Sequence, residues 1–379
     1  MSERLFNIRI FQPLVPHYRV GLFRGVGKRY AGRVELIAAE RKVGYFVSQV
    51  IEEIRCDYHH DEIKVGPFYW MKGCSLDGLR RGDVVIIEGN IRKLAFLWVA
   101  LCARLHGIGV VWWGLHKMPN QRGLSLWLRT CVMKHLATSI LFYNKSGVEW
   151  YKSKNPGLPN AFAVGNAIDL DPIKKEISYW TEDRLKEFQD EKKVSAKRVV
   201  LACSRLTEKV RLHEAIRAMA EPSMPQDVVL AVIGEGPLRE DLGQLAKDIG
   251  VDKKIMWLGP MYDQHEMAPW FLTAKLYVYP GPVGLGIIHA LSYALPGVLN
   301  DTHNSTEAEV FENGKTGRMF AESSIESLAE TIARMLDDEC TCKRMGKYAQ
   351  SKVFKYYTID QMVNNWCAAV EQAHVQMVK

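Results

Sequence analysis

The stretch RVVLACSRLTEK (198–209) decides the architecture. Its first seven residues form a nearly unbroken apolar run, which stops at a loop carrying Arg205 and Lys209. A strand that is apolar on both faces needs cover from both sides, as strands of parallel sheets in α/β proteins do. The same pattern recurs downstream in VVLAVIG (228–234), KIMWLG (254–259), KLYVYP (275–280) and PGVLND (296–301). It recurs upstream in FNIRIFQP (6–13), VELIAAE (34–40), DVVIIEG (83–89), GVVWWG (109–114), SILFYN (139–144) and FAVGN (162–166). Helical patterns lie between most of these runs. Two such series predict an α/β protein of two doubly wound domains, 1–173 and 198–355. Between them KKEISYWTEDRLKEFQDEKKVSAKR is dense in charge and poor in large aliphatics, so 174–197 is expected as a solvated linker with one exposed helix. Residues 356–379 are expected to form a last helix, opened by the capping box Thr358 and Gln361. Met362, Trp366 and Val370 fall on one face of it.

At 379 residues, 47% apolar and 25% charged, the chain is neither disordered nor fibrous in composition. No apolar run reaches the ~18 residues of a spanning helix. The longest, LAFLWVALCA (94–103), stops at Arg104, and the first residues have no leader layout. The eight cysteines form no C-x-x-C pair, which suits reduced core thiols of a cytoplasmic protein. The net charge of +7 divides into +12 for residues 1–175 and −5 for 176–379. A basic half suits an anionic membrane, a phosphorylated substrate or nucleic acid. No nucleic-acid-binding signature accompanies it, so nucleic acid is not an expected partner. RGLSLWLRTCVMKH (122–135) interleaves Arg122, Arg129 and Lys134 with large apolar residues. It reads either as a basic amphipathic helix at a bilayer surface or as an ordinary helix with its apolar side in the core.

Ligands of doubly wound sheets bind at the carboxyl ends of the strands. There Arg205 and Lys209 offer two cations in one loop, suited to a diphosphate, although paired surface charges are the plainer reading. In GEGPLREDL (234–242), Gly234 and Gly236 allow a tight strand-to-helix turn near the site. In PGPVGLGIIHAL (280–291), Gly284 and Gly286 let the backbone approach a ligand, and a helix starting there would aim the amides of Gly284, Leu285, Gly286 and Ile287 at an anion. His289 lies one turn further on, where a satisfied core histidine is the common case. GKTG (314–317) is no Walker motif, because Glu309 stands where the first glycine is required. DYHHD (57–61) is no metal site, because adjacent His59 and His60 point apart on a strand. His17, Tyr18 and Arg19 follow the first strand, and His116 follows the WWG strand.

In order and spacing, RLTEK, GEGPLREDL, WLGPM (257–261), PGPVGLGIIHALSYALP (280–296) and AEVFENGKTGRMF (308–320) resemble the group 1 (family 4) retaining glycosyltransferases of the GT-B fold. The likeness covers most of 198–337, and EGNIRKLAFLWVALCARLHGIGVVWWGLH (88–116) is similar to a bacterial branch of that family. The resemblance implies two Rossmann-like domains with a cleft between them and a C-terminal helix crossing back to the first. It implies a nucleotide-sugar donor held by the second domain and a glycan or lipid-linked acceptor held by the first. Arg205 and Lys209 match the diphosphate pair and Gly284–Gly286 the segment facing the phosphates. Glu309 matches a family position before the G-x-T-G turn, and Gly165–Asn166 the end of the first domain. His116 resembles the cleft histidine; His17, Tyr18 and Arg19 fall to the acceptor side. The expected activity is retaining sugar transfer in bacterial cell-surface polysaccharide synthesis, with no metal and no cofactor. The expected location is the cytoplasm, peripheral at the inner face of the plasma membrane. Two departures stand out. The family's paired glutamates, at E-x7-E spacing, are Gly281 and His289 here, and Ala294 stands in place of a glycine. A nucleotide-sugar epimerase of the same fold, or a degenerate binding or scaffold protein, are the rival readings.

Overall fold

A computed structural model describes residues 6–13, 15–30, 32–38, 54–57, 62–116, 123–155, 160–302 and 305–379. The chain divides into two units: residues 1–166 with Ile359–Lys379, and Ala167–Thr358.

The strands of the first unit are β1 (Ile8–Gln12), β2 (Val34–Ala38), β3 (Arg55–Asp57), β4 (Glu62–Val65), β5 (Phe68–Met71), β6 (Val84–Glu88), β7 (Gly109–Gly114), β8 (Ser139–Phe142) and β9 (Ala161–Ala163). Seven of them make a parallel sheet in the order β3-β2-β1-β6-β7-β8-β9, while β4 and β5 pair with each other as an antiparallel hairpin. The apolar runs explain the sheet: β1, β7 and β8 are buried throughout, and so is β6 except at its last residue, Glu88. Helix Leu94–Leu105 covers the sheet with Phe96, Val99 and Ala103. Helix Ile359–Val378 packs on β7, β8 and β9 and on helix Val20–Arg29, burying Met362, Trp366 and Val370 as their spacing predicts. His374 stacks on Phe6 at 4.2 Å between ring centres, and its Nδ1 lies 2.6 Å from the Gly82 carbonyl oxygen.

The second unit carries β10 (Arg198–Cys203), β11 (Val228–Ile233), β12 (Ile255–Gly259), β13 (Leu276–Tyr279), β14 (Gly297–Asn300) and β15 (Gly317–Phe320), all parallel, in the order β12-β11-β10-β13-β14-β15. Ala294 takes a left-handed φ of 57°, the conformation in which a glycine is ordinarily found.

The expected exposed helix is present as Glu182–Glu191, which has no buried residue, but 174–197 as a whole is not a linker between the units. Helices Asp171–Tyr179 and Glu182–Glu191 belong to the second unit and pack on helix Gln264–Thr273. Ile173 and Val194 are buried, Phe188 meets Trp270 edge-on at 5.1 Å, and buried Glu176 lies 2.7 Å from His265 Nδ1. Charge on the outer faces hid an apolar inner face, and the unit boundary falls at 166/167 rather than 173/174. The eight cysteines are free thiols, but only Cys342 and Cys367 are buried and Cys340 is exposed, so they are not uniformly core residues. Among the described residues no helix is long and apolar enough to cross a membrane.

Each sheet reverses its order once, between β1 and β6 and between β10 and β13. At such a reversal the loops leave in opposite directions and open a crevice beyond the strand ends.

Candidate active site

At the β10/β13 reversal three loops are knitted together by backbone contacts. Ser204 N–H donates to Ile233 O (3.0 Å), Leu206 N–H to Glu235 O (3.0 Å), and Leu238 N–H to Leu206 O (3.2 Å). Gly281 N–H donates to Val210 O (3.0 Å) and so ties the third loop to the same turn. This lattice brings together Arg205, on the loop, and Lys209, in the short 3-10 turn Glu208–Val210; both side chains are exposed.

The glycines of these loops do different work. A Cβ on Gly234 would collide with the Ser204 carbonyl, one on Gly236 with that of Leu206, and one on Gly281 with that of Lys209. A Cβ on Gly286 would lie 2.6 Å from the Tyr277 hydroxyl, which itself donates to Cys203 O at 3.1 Å. All four are therefore needed for close packing within the chain, which suits the tight turn expected of Gly234 and Gly236 and differs from the ligand approach expected of Gly286. Gly284 borders open space, with nothing within 4 Å of its absent side chain.

Helix Gly286–Ser292 begins here, with Leu285 half-buried before it. Ile287 turns its N–H back to Gly284 O (3.2 Å) and buries its side chain, so it leaves the expected set of anion-facing groups. His289 is likewise occupied. Its Nε2 sits 3.0 Å from Gln264 Nε2, and its ring packs on Phe271 at 4.5 Å and against Tyr293. Burial pushes its pKa down to about 4, leaving a neutral imidazole. The plainer reading, a satisfied histidine between helices, describes it. Glu309, half-buried in the turn Glu307–Val310, stands close enough to Tyr357 to help raise that phenol's pKa after burial itself.

At the β1/β6 reversal the first unit holds a different arrangement. Arg19 donates to Gln12 Oε1 (2.8 Å) and to the Tyr143 hydroxyl (2.7 Å), and its guanidinium lies 4.5 Å from the Trp113 ring centre. Burial works against its charge; Tyr143, Tyr18 and Glu88 more than offset that, so its pKa lies above the usual value. Glu88 ends β6 with Oε2 buried and without a hydrogen-bond partner among the described residues. Burial raises its pKa against the pull of Lys93 and Arg19. Arg129 is fully buried, donating from Nη2 to Gly89 O (2.6 Å) and Leu115 O (2.5 Å), while its Nε and Nη1 have no partner among the described residues. Burial lowers its pKa to about 10.

Glu88, Gln12 and Tyr143 were not singled out from the sequence, and Arg129 was read only as one of the basic residues of the helix in 122–135. A carboxylate ending an otherwise apolar strand was the available signal for Glu88. Tyr18 is half-buried beside Arg19, and His116 packs on Trp150 (5.3 Å) and Phe142 (6.3 Å) against helix Lys145–Lys154. The side chain of His17 and residues His59, His60 and Arg122 lie outside the described residues. Among the described residues no three His, Cys, Asp or Glu side chains are grouped as metal ligands would be.

With this geometry in view, the family model described as "Glycosyl transferases group 1" matches residues 183–352, from helix Glu182–Glu191 to helix Glu339–Tyr356. Most of the second unit is thus similar to the group 1 glycosyl transferases. Over 185 residues the chain is 28% identical to the exopolysaccharide phosphotransferase of Streptomyces coelicolor, covering 47% of this chain and 19% of that protein. It is 20% identical to the N-acetyl-alpha-D-glucosaminyl L-malate synthase of Bacillus anthracis, over 45% of this chain and 44% of the other. The matched part thus spans less than half the length of either relative. Crystal structures share the fold along the whole chain. Anabaena HepE in complex with UDP has a TM-score of 0.71 at 15% identity, covering 97% of this chain and 100% of the other. A glycosyltransferase from Rickettsia africae has 0.74 at 12% identity, covering 98% and 99%. The two doubly wound parallel sheets are those of the GT-B fold, and the Arg205–Lys209 loop and Gly284 lie inside the matched residues 183–352.

Proposed function

We propose that this chain transfers a sugar from a nucleotide-sugar donor to a glycan or lipid-linked acceptor in bacterial cell-surface polysaccharide synthesis, with retention of configuration and without a bound metal. The observation that carries the reading is the convergence of Arg205, Lys209 and the open backbone at Gly284 on one switch point. Glycosyl transfer passes through an oxocarbenium-like transition state while negative charge grows on the departing diphosphate. Two exposed cations at the strand ends answer that charge with charge-assisted hydrogen bonds, and an unobstructed glycine lets the phosphates lie against the backbone. With Gly281 and His289 in place of carboxylates, the leaving phosphate itself is the base that takes the acceptor proton, and attack comes from the face it leaves. On the acceptor side, the unsatisfied Glu88 oxygen is the group to receive an acceptor hydroxyl, with Arg19 and Tyr143 fixing its surroundings.

A specific observation favours one rival. His289 is tied to Gln264 and Gly281 is filled by Lys209 backbone, so both former carboxylate positions are structural, as in a protein that binds the donor without turning it over. One experiment separates the readings. Nucleotide sugars are screened by thermal shift, starting with UDP-glucose because HepE has been crystallised with it, and bound donors are then followed for consumption with and without acceptor. Binding with acceptor-dependent consumption supports transfer. Binding alone supports the rival, and interconversion of the sugar without acceptor supports an epimerase. A stabilised melting temperature that survives Arg205→Ala removes the loop from the site.

A further inference from the structure

The first unit leaves an unusual amount of apolar surface uncovered, and it is concentrated on three adjoining elements. In the β4–β5 hairpin, Ile63 faces Trp70 and Val65 faces Phe68 across the strands, so all four lie on one face, and all four are exposed. The other face is the packed one: Met71 is buried, and Tyr69 lies under the Lys93 ammonium at 4.5 Å. Helix Leu94–Leu105, which contacts β5, buries one side and exposes Leu94, Trp98, Leu101 and Leu105 on the other, at the spacing of a continuous stripe. Trp98 is 57% exposed and Leu105 77%. Helix Gly123–Leu136, which contacts that helix, exposes Leu124 (78%), Trp127 (62%) and Leu128.

Of the two readings of this last helix, an apolar side turned to the core does not hold: Leu124, Trp127 and Leu128 face outward, while Arg129, one of its basic residues, is buried. Large apolar side chains exposed in this number on elements that touch one another mark an interaction surface.

The charges around the patch choose its occupant. Residues 62–138 hold 11 Lys+Arg against 4 Asp+Glu. Of those four acids Asp83 is buried, Glu88 is largely withdrawn from solvent, and Glu62 is ion-paired with Lys93. Asp77 is the only fully exposed acid among the described residues of this stretch, against exposed Lys64, Lys72, Arg92 and Lys134. Exposed apolar residues rich in tryptophan, on a stretch that also exposes Lys64, Lys72, Arg92 and Lys134, match the headgroup region of an anionic bilayer. Indoles sit at the interface there, and basic side chains reach outward to phosphates. A second copy of the chain would bring like charges together at the same edge.

We infer that the hairpin 62–71 and helices 94–105 and 123–136 form one docking surface for an anionic lipid bilayer, through which the first unit meets a membrane-borne acceptor. The inference rests on the transferase reading for the acceptor alone; the docking is read from vesicles without any sugar present. The full chain is sedimented with vesicles of phosphatidylcholine and of phosphatidylcholine with phosphatidylglycerol, beside a variant carrying Trp98→Ser and Trp127→Ser and a second carrying Lys64→Glu and Lys134→Glu. The expected result is binding to the anionic vesicles only. It should fall about tenfold or more in the tryptophan variant and weaken with salt in the wild type. The lysine variant should lose most of its preference for phosphatidylglycerol while its melting temperature stays unchanged. Equal binding by wild type and both variants overturns the inference. So does failure to bind either vesicle, or gel filtration showing a dimer that the tryptophan pair abolishes while vesicles are ignored. The UDP-glucose thermal shift is measured on the same preparations. Its absence with docking intact defeats the transferase reading and leaves the surface standing; its presence without docking does the reverse.

Discussion

The two sheets reverse at comparable points but furnish them in contrasting ways. At the β10/β13 reversal the cations Arg205 and Lys209 are exposed, and the rigidity comes from glycines locked against backbone carbonyls. At the β1/β6 reversal the charges are withdrawn from water: Arg19 is held by Gln12, Tyr143 and Trp113, Arg129 is buried, and Glu88 is half-buried with its Oε2 buried and without a partner among the described residues. An exposed cation keeps its hydration until an anion replaces it, which suits a ligand that brings its own charge. A buried carboxylate has already lost its hydration, so a neutral hydroxyl is worth more to it than to the same group in water. On the proposed function, the contrast fits a charged donor at the second unit's reversal and an uncharged, hydrogen-bonding acceptor group at the first unit's.

The comparison can be broken most forcefully at Arg205. Arg205→Ala should lower turnover ~10²–10³-fold, the usual effect of removing one donor to a developing oxyanion, while the melting temperature without donor stays the same. A fall in stability with turnover intact would reverse the assignment. Glu88→Gln comes next. It should reduce kcat/KM for the acceptor by about 10–100-fold, the scale of a hydrogen bond to a charged group, and leave the donor-induced thermal shift unaltered.

The same substitution tests burial by linkage. Because the folded-state pKa of Glu88 is raised, the folded protein holds that proton more tightly than the unfolded chain. The wild type should therefore lose stability as pH rises from the ordinary carboxylate range through the folded pKa, and Glu88→Gln should remove that loss. Melting curves of both proteins across pH reveal the difference, and parallel curves would place Glu88 in water.

The glycines sharpen the donor half. Gly286→Ala should cost about 1–3 kcal/mol by overpacking against Tyr277, whereas Gly284→Ala should melt like wild type and bind the donor less well. If the two variants exchanged behaviours, Gly284 would not border a ligand. The smallest effect concerns His289. With its pKa lowered to about 4 by burial, its ring should not titrate between pH 5 and 8, which NMR of the ring protons reads directly.

Much of this was legible in the sequence where the signal is local. Apolar strands such as Val84–Glu88 and Val228–Ile233 declare themselves, and a loop that sets Arg205 and Lys209 four residues apart at a strand end points to an anion. What escaped depends on distant partners. Arg129 looks like a surface residue of an amphipathic helix until the carbonyls of Gly89 and Leu115, 40 and 14 residues away, draw it inward. The segment 174–197 looked solvated because its charges outnumber the few residues, such as Phe188, that meet Trp270. The hairpin was missed although its pattern is local: Ile63 and Val65 alternate before Gly66–Pro67, and Phe68 and Trp70 after it, which is a turn between two strands. Gly286 misled in a different way, since a glycine needed for close packing has the same letter as one that makes room for a ligand.

The division of the chain bears on its synthesis. The first unit is interrupted by the whole of the second, and the part of its sheet formed by β7, β8 and β9 lacks the C-terminal helix until Trp366, Val370 and their neighbours arrive. On the ribosome the second unit can therefore complete itself while the first is still waiting for its closing helix. The half translated earliest matures last, and its bare face is the part a chaperone would have to shield in the interval.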